Sequence, residues 1–129
     1  MKHVEVVAAV IRRGDEIFAT KRGYGDMKGG WEFPGGKMEK GESKEEVLVR
    51  EIREELDSEI LVKDYIATVE YDYPRFHLTM HCFFCELKEG ELILKEHEDA
   101  RWLTLDTLED VAWLPADLLI LDQVREVLK

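Results

Sequence analysis

The sequence predicts an α/β fold in which a mixed β-sheet is packed between helices. Strand-like segments rich in β-branched and apolar residues lie on both sides of one amphipathic helical segment, and the last segment is again helical in period. A chain of 129 residues is long enough to bury one continuous core. The sequence contains no linker and no low-complexity tract, so we expect a single domain over residues 1–129.

The first half of the chain is predicted to begin with a β-hairpin. Residues 3–11 and 16–21 have strand character, and Arg13-Gly14-Asp15 between them supplies a turn signal. A glycine-rich segment, residues 23–41, comes next, and only its Trp31-Glu32-Phe33 stretch is typical of a strand. Long loops inside compact domains are usually functional, so we expect this segment to contribute to a site.

Two longer strands and several short elements are predicted after the central helix. The strands cover roughly residues 60–71 and 76–87, with a Tyr-Pro corner between them. Residues 91–94 and 101–105 are expected to add short strands. A short helix is predicted within residues 106–112, and a final helix beginning at Asp117 is indicated by apolar residues at positions 118, 121, 124 and 128.

The segment from residue 44 to residue 56 is predicted to be an α-helix. Ser43 and Glu46 form the S-x-x-E pattern of a capping box at its start. Asp57, at its end, is a residue type that tolerates the left-handed conformation in which many helices terminate. At 100° per residue, an arc of about 100° that would face the sheet contains Leu48, Val49, Ile52 and Leu56.

Three glutamates, Glu51, Glu54 and Glu55, border this apolar stripe rather than the solvent side of the helix. Carboxylates at the margin of a core repel one another and are costly to desolvate unless a cation neutralises them. The alternative is a solvated helix face with i,i+4 pairs such as Arg50 with Glu54, and it accounts poorly for three acids on one flank. The pattern therefore favours a Mg²⁺ or Mn²⁺ site, since hard cations prefer oxygen ligands.

The composition argues against several classes of protein. A formal net charge of -11 is unsuited to binding a nucleic-acid backbone, which requires a basic face. No apolar run approaches the length that spans a bilayer, and Glu5 interrupts the apolar run near the first residue. We therefore expect a soluble, cytoplasmic protein that binds neither nucleic acid nor membrane. Small phosphorylated substrates fit this charge, because divalent cations bridge carboxylates to phosphate.

Cys82 and Cys85 form a C-x-x-C pattern, which raises the possibility of a zinc or redox site. Both lie inside a segment predicted to be a buried strand, where an odd separation points two side chains to opposite faces of the sheet. The sequence offers no second pair of ligands elsewhere. We expect these cysteines to have neither role.

The acidic helix is part of a longer motif that resembles the signature of the Nudix hydrolases. From Gly36 the sequence has five residues, then Glu42, then seven residues, then Arg-Glu-Ile-Arg-Glu-Glu over positions 50–55. It departs from the family pattern at Asp57 and Ser58, where a glycine and an aliphatic residue are usual. The segments VAAVIRR, WEFPGGK, YPRFHLTMHCF and LPAD extend the resemblance over essentially the whole chain, towards the MutT branch and the bacterial CTP pyrophosphohydrolases especially.

This resemblance implies the Nudix fold, an α/β/α sandwich, and a requirement for Mg²⁺ or Mn²⁺. The implied metal ligands are the backbone carbonyl of Gly35 and the side chains of Glu51, Glu54, Glu55 and Glu96. Arg50 would orient the carboxylates unless it forms only a surface ion pair. Glu42 would help to position the ligand residues without binding the metal itself. The base that deprotonates the attacking water would be Glu51 or Glu96, with Glu98 the alternative at the loop position.

The resemblance also implies contacts to a nucleotide. Arg22 and Lys37 would bind the phosphate tail, unless they are ordinary surface charges. Asp117 would contact the base, although its position also suits an N-cap of the final helix. The other base-binding candidates are Glu32 and the aromatic residues Phe33, Phe76 and Trp113, which are as readily explained as core residues.

Three hypotheses of function follow. The first is a Mg²⁺-dependent nucleoside triphosphate pyrophosphohydrolase of the MutT type, which acts on 8-oxo-dGTP or on CTP and dCTP in nucleotide-pool sanitation and DNA repair. The second keeps the site but takes a nucleoside-diphosphate sugar or a dinucleoside polyphosphate. The third is a non-catalytic metal- or nucleotide-binding module, against which the intact motif argues. Either a monomer or a homodimer is compatible with the sequence.

Overall fold

A mixed β-sheet organises the computed structural model, which describes residues 2–89 and 91–129. Within that part of the chain the helices are α1 (Lys44–Leu56), α2 (Pro115–Leu118) and α3 (Leu121–Leu128), and a 3₁₀ helix covers Leu108–Asp110. The seven strands are β1 (Lys2–Arg13), β2 (Glu16–Lys21), β3 (Trp31–Glu32), β4 (Gly35–Lys37), β5 (Glu59–Tyr73), β6 (Phe76–Glu89) and β7 (Asp99–Leu103). None of these helices is long and apolar enough to cross a membrane.

Strand β1 lies at the centre of the sheet. On one side it pairs in parallel with β6, from Lys2 opposite Phe76 to Arg12 opposite Glu86, and β5 continues the sheet antiparallel to β6. On its other side β1 pairs antiparallel with β2 and with β4, while β3 and β7 both pair with β2. Both ends of the WEFPGGK stretch are thereby held against the sheet.

The alternation of side chains along β1 divides the core into two layers. Val7, Ala9 and Ile11 share one buried cluster with the apolar residues of α1, whereas Ala8 and Val10 share the other with the apolar residues of α3. Helices therefore cover both faces of the sheet, which confirms the predicted α/β/α sandwich. The apolar helix residues concerned are Val47, Leu48, Ile52 and Leu56 of α1 and Leu121, Val124 and Leu128 of α3.

The ends of α1 lie where the sequence predicts them. The Ser43 hydroxyl accepts from the amide of Glu46, and the Glu46 carboxylate accepts from the amide of Ser43, so the capping box is complete. Asp57 ends the helix in the left-handed conformation, with φ 52° and ψ 40°. One detail of the apolar stripe differs, because Val47 is fully buried while Val49 is half-buried.

Strand β4 is absent from the sequence prediction. Its residues, Gly35–Lys37, have little intrinsic strand propensity, and the strand exists because its backbone pairs with β1. Conversely, the strand predicted at residues 91–94 is wrong. This segment packs against the end of α1 instead, where the amide of Ile93 donates to the carbonyl of Leu56 at 2.9 Å.

The elements after residue 98 differ from the prediction in their bounds, their helix type or their number. The strand expected at residues 101–105 is β7, which lies at Asp99–Leu103 because it pairs with β2. Only a 3₁₀ turn forms within residues 106–112. The single final helix is wrong: Pro115, which suits a first helical position, starts a short α2, and α3 begins separately at Leu121.

The two cysteines lie on opposite faces of the sheet, as predicted. Cys82 belongs to the core layer that contains α3, and Cys85 belongs to the layer that contains α1. Both side chains are fully buried. Burial raises the pKa of the Cys85 thiol to about 12 and raises that of Cys82 further, so both remain protonated at neutral pH.

Candidate active site

A cleft of about 810 Å³ opens where α1, the glycine-rich segment and the turn between β5 and β6 meet. Two groups of side chains line it. An acidic group comprises Glu51 and Glu55 of α1 with Glu96 from the loop before β7. A second group, formed by aromatic, apolar and carboxyl side chains, comprises Phe33, Tyr73, Phe76, Leu78, Met80 and Asp117.

Helix α1 partly buries two of its three flanking glutamates. The buried arc extends from Val47 to Leu56, so Glu51 and Glu55 lie inside it and Glu54 lies just beyond its edge. The side chains of Glu51 and Glu55 are 15% and 17% exposed, whereas that of Glu54 is 59% exposed. The three predicted ligands are therefore a half-buried pair and one solvent-accessible neighbour.

Glu55 is the least compensated acid of the cleft. Its Oε2 atom is buried and has no hydrogen-bond partner among the residues that the structure describes. Burial, together with the charges of Glu51 and Glu96, raises the pKa of Glu55 to about 8. Burial also raises the pKa of Glu51, against the opposing effect of Arg50. A buried carboxylate oxygen without a partner is expensive, and a hard divalent cation would satisfy it, so these residues fit a Mg²⁺ or Mn²⁺ ion.

Arg50 lies between the acids of α1 and those of the preceding loop. Its guanidinium donates two hydrogen bonds to Glu42, at 2.9 Å and 3.0 Å, and a third to Glu51 at 2.9 Å. A longer contact of 3.5 Å reaches Glu54. The hydrogen bonds to Glu42 raise the pKa of Arg50, which remains charged. Glu51 is thereby held in one orientation from the side opposite Glu55.

Two glycines of β4 allow close packing, Gly36 against α1 and Gly35 against β1. A Cβ atom at Gly36 would lie 2.2 Å from the carboxyl carbon of Glu51. A Cβ atom at Gly35 would lie 1.9 Å from the backbone oxygen of Val7 on β1. Close packing against the backbone of β1 therefore holds Gly35, whose carbonyl is a predicted metal ligand. Its neighbour Gly36 contacts Glu51.

The loop before β7 brings Glu96 to the cleft but directs Glu98 elsewhere. Glu98 pairs with Lys21 at 3.6 Å, and its amide donates to the Lys21 carbonyl, which fixes the loop to the end of β2. The structure thus favours Glu96 over Glu98 for the loop position. His97 is a residue that the sequence prediction missed: its Nε2 lies 3.9 Å from Glu55 Oε2, and its position directly after Glu96 was the available signal.

Arg22 and Glu32 are bound to each other. The guanidinium of Arg22, directly after β2, donates to both carboxylate oxygens of Glu32 on the paired strand β3, at 2.8 Å and 3.1 Å. Both residues line the cleft, as does the exposed Lys37. Arg22, a predicted phosphate contact, and Glu32, a predicted base contact, therefore form one bidentate ion pair.

Asp117 is a buried carboxyl group and not an N-cap. Helix α2 begins after Leu114, so the predicted capping alternative is wrong. One oxygen of Asp117 accepts a hydrogen bond from the amide of Phe33 at 3.0 Å. The side chain is 4% exposed, and burial, with a smaller effect of Glu32, raises its pKa to about 8. Its carboxyl group is therefore largely protonated at neutral pH and can donate a hydrogen bond.

The aromatic candidates separate into core and cleft residues. Trp113 is a core residue, since its indole nitrogen donates to the carbonyl of Leu108 at 2.6 Å and its ring packs on buried Phe33. Phe76 stacks on Tyr73, with 5.1 Å between ring centroids. Tyr73 lines the cleft, and its hydroxyl accepts from an amide of α2. The sequence prediction missed Tyr73 as a site residue, although it is the tyrosine of the Tyr-Pro corner.

The motif that carries the acidic group matches a known family over nearly the whole chain. A family model described as the NUDIX domain matches residues 1–123. This chain belongs to the Nudix hydrolase family. In this Nudix hydrolase the signature residues from Gly36 to Glu55 occupy β4, the loop after it and α1.

Relatives of this Nudix hydrolase place it in the MutT-like branch. It is 36% identical to the CTP pyrophosphohydrolase of Escherichia coli (strain K12) over 123 residues, which cover 95% of this chain and 91% of that protein. It is 32% identical to the 8-oxo-dGTP diphosphatase of the same strain over 129 residues, with 98% and 100% covered.

Solved structures agree with this placement. The solution structure of the E. coli ORF135 protein superposes with a TM-score of 0.80 at 34% identity, covering 95% of this chain and 88% of that one. The crystal structure of a MutT NUDIX hydrolase from Burkholderia pseudomallei gives a TM-score of 0.83 at 27% identity, with 96% and 99% covered.

Burial of Asp117 makes the stability of the Nudix domain depend on pH. Between the ordinary pKa of an unfolded aspartate and the raised value of about 8, the folded chain holds a proton that the unfolded chain has released. From this group the free energy of unfolding is expected to fall as pH rises, by up to about 1.4 kcal/mol per pH unit. An Asp117→Asn variant keeps an acceptor for the Phe33 amide and lacks the titration, so it should show a flatter profile and a higher stability above pH 7.

Urea unfolding between pH 5 and pH 9 measures this effect. The exposed Asp106 provides the matched control, since Asp106→Asn should leave the slope of the native chain unchanged. A native-like slope in the Asp117→Asn variant would show that this carboxyl group is ionised in the folded state.

Proposed function

We propose that this Nudix hydrolase is a metal-dependent nucleoside triphosphate pyrophosphohydrolase, which converts a nucleoside triphosphate and water to a monophosphate and pyrophosphate. The observation that carries the proposal is the single cleft that joins the acids Glu51, Glu55 and Glu96 to a group made of Asp117 and aromatic rings. A triphosphate tail and a base require these two kinds of surface together. The names of the two E. coli relatives support the same reaction.

The acidic group would hold a Mg²⁺ or Mn²⁺ ion through Glu51 and Glu55, with Glu54, Glu96 and the carbonyl of Gly35 as further ligands. Once bound, the ion supplies positive charge for the phosphoryl oxygens and lowers the pKa of a water molecule. The buried oxygen of Glu55 supports this set most directly, because nothing else among the described residues satisfies it.

Of the two candidate bases we favour Glu96. Arg50 donates a hydrogen bond to Glu51 at 2.9 Å, which occupies one of its carboxylate oxygens, and a bound metal ion would take the other. Glu96 lines the cleft from a loop whose neighbour Glu98 is tied to the end of β2. It would accept the proton of the attacking water, while Arg50 and Glu42 keep Glu51 oriented.

The phosphate tail would lie against Lys37, with Arg22 as a second contact. Lys37 is exposed at the cleft, and a point charge on a flexible stem suits a polyphosphate. Arg22 is already engaged by Glu32, so it would have to share its guanidinium between that carboxylate and a phosphate. We therefore expect Lys37 to contribute more to binding of the phosphate tail.

The base would stack on Phe76 and Tyr73 and accept a hydrogen bond from Asp117. One oxygen of Asp117 is occupied by the amide of Phe33, so the other oxygen, when protonated, is the free donor. Such a donor suits a ring nitrogen or carbonyl of the base edge, which both cytosine and 8-oxoguanine offer. We accordingly propose 8-oxo-dGTP or CTP and dCTP as substrates, in nucleotide-pool sanitation.

Pyrophosphate release from a panel of nucleotides tests the proposal. The panel contains CTP, dCTP, dGTP, 8-oxo-dGTP, a nucleoside-diphosphate sugar and a dinucleoside tetraphosphate, each with Mg²⁺, with Mn²⁺ and with chelator. We expect a monophosphate and pyrophosphate from at least one triphosphate, only when metal is present. Products from the sugar nucleotide or the dinucleotide alone would assign the cleft to the second hypothesis, and no turnover of any triphosphate would refute the proposal.

A further inference from the structure

A second cluster of potential metal ligands lies outside the cleft, on the part of the sheet face that extends beyond α1. Three of the four histidines of the chain are on the strands that form this face, at His3, His77 and His81. On β1, His3 shares the face of Val7, because residues two apart point the same way. Helix α1 covers Val7, whereas His3 is exposed. The helix therefore leaves this face of the sheet uncovered towards the start of β1.

The pairing of three strands brings His3, Glu70 and His77 together. His3 is opposite His77 across the parallel strands β1 and β6. Glu70 on β5 is opposite Thr79, which lies two residues beyond His77 on the same face of β6. One ligand atom from each of His3, Glu70 and His77 lies within 4.8 Å of the other two. Because all three residues belong to hydrogen-bonded strands, the backbone sets their spacing.

Hydrogen bonds orient these side chains towards a common point. The Nε2 atom of His77 lies 3.4 Å from Glu70, and its Nδ1 atom lies 2.5 Å from a carboxylate oxygen of Asp72. A metal-bound imidazole typically uses its second nitrogen in this way, on a carboxylate that fixes the ring. His3 and Glu70 both contact the hydroxyl of Thr79, the former through Nε2 at 2.7 Å.

We propose that His3, Glu70 and His77 form a second metal site, distinct from the acidic group of the cleft, which takes Zn²⁺ or a related divalent transition ion. Two imidazoles and one carboxylate are a ligand set that zinc accepts and that Mg²⁺ disfavours. Three protein ligands leave a fourth position for water. An ion held there connects β1, β5 and β6. Because the unfolded chain lacks this arrangement of ligands, binding of the ion stabilises the folded chain.

Titration calorimetry with Zn²⁺ on tag-free, metal-stripped protein tests the site. The Glu51→Gln, Glu55→Gln double variant serves as the background, because the acids of the cleft also attract divalent ions. We expect one equivalent to bind with a dissociation constant of roughly 10 µM or below. His3→Gln and His77→Gln should each weaken binding at least about tenfold, and Asp72→Asn should weaken it less, through the orientation of His77.

His81 is the matched control for these substitutions. It lies on the same face of β6, but its ring is engaged by Glu5 at 2.7 Å and by Thr68 at 2.8 Å. His81→Gln should therefore leave zinc affinity unchanged. Loss of affinity in the His81 variant equal to that in the His77 variant would overturn the assignment, as would the absence of saturable binding below about 100 µM in the background protein.

Ring ¹⁵N chemical shifts of the histidines give a second measurement that needs none of the histidine variants. With one equivalent of Zn²⁺, ring nitrogens of His3 and His77 should shift, while those of His81 and His97 should not. Shifts confined to His97 would place the ion in the cleft and refute the proposed site. Unchanged shifts of His3 and His77 would show that the cluster is a hydrogen-bond network without an ion.

Discussion

Replacing Glu55 by Gln is expected to lower pyrophosphate release by about two to three orders of magnitude and, without metal, to stabilise the folded chain. Both effects have one cause. The carboxylate is 17% exposed, its Oε2 has no hydrogen-bond partner among the described residues, and Glu51 and Glu96 repel it. Gln removes the repulsion and the cost of either burying this group charged or protonating it at neutral pH, and it also removes the ligand that a divalent ion requires.

Turnover and thermal melts, each with Mg²⁺ and with chelator, measure the two effects of the Glu55 substitution. Glu45→Gln is the control, because Glu45 is exposed in the first turn of the same helix. We expect the control to keep its turnover and its stabilisation by Mg²⁺, and the Glu55 variant to lose both. A Glu55→Gln variant that melts below the native chain in chelator would show that the carboxylate is already satisfied without metal.

Two adjacent glycine substitutions are expected to affect stability and catalysis separately. In Gly35→Ala the new Cβ would lie 1.9 Å from the backbone oxygen of Val7, and backbone cannot move without opening the pairing of β1 with β4. We expect a loss of about 3 kcal/mol or more in the free energy of unfolding. In Gly36→Ala the three atoms nearest the new Cβ all belong to the side chain of Glu51, which can rotate away, so the loss of stability should stay near about 1 kcal/mol.

The displaced carboxylate makes Gly36→Ala the more informative variant for catalysis. Moving Glu51 breaks its contact with Arg50 and removes it from the neighbourhood of Glu55, so turnover should fall at least about tenfold in a folded protein. Urea unfolding and pyrophosphate release, measured on both variants, separate the two effects. Native turnover in Gly36→Ala would show that the position of Glu51 does not matter to the reaction.

The sequence alone determined what depends on contacts within a few residues. Helix α1 has its predicted limits because Ser43, Glu46 and Asp57 act through local hydrogen bonds and local backbone conformation. The long strands follow from their apolar residues, and the opposite faces of Cys82 and Cys85 follow from the two-residue period of a strand. The family signature could be recognised for the same reason, since its residues have fixed spacing along the chain.

The sequence pattern could not separate Glu51 and Glu55 from Glu54. It treated the three as one flank, because it placed the edge of the buried stripe at Leu48. In the folded chain that edge is Val47, so two of the glutamates are enclosed and the third remains in solvent. Strand β4 has a similar origin, because Gly35–Lys37 forms a strand only in contact with β1.

Only the tertiary structure decided the partners of the remaining site residues. Asp117 accepts a hydrogen bond from the amide of Phe33, 84 positions away in the chain, and burial raises its pKa, which leaves base contact as the remaining one of its two predicted roles. Arg22 and Glu32 meet across two strands, and His97 meets Glu55 between a loop and a helix. The pKa values and hydrogen bonds of these groups depend on which distant segments enclose them, and local periodicity carries no information about that.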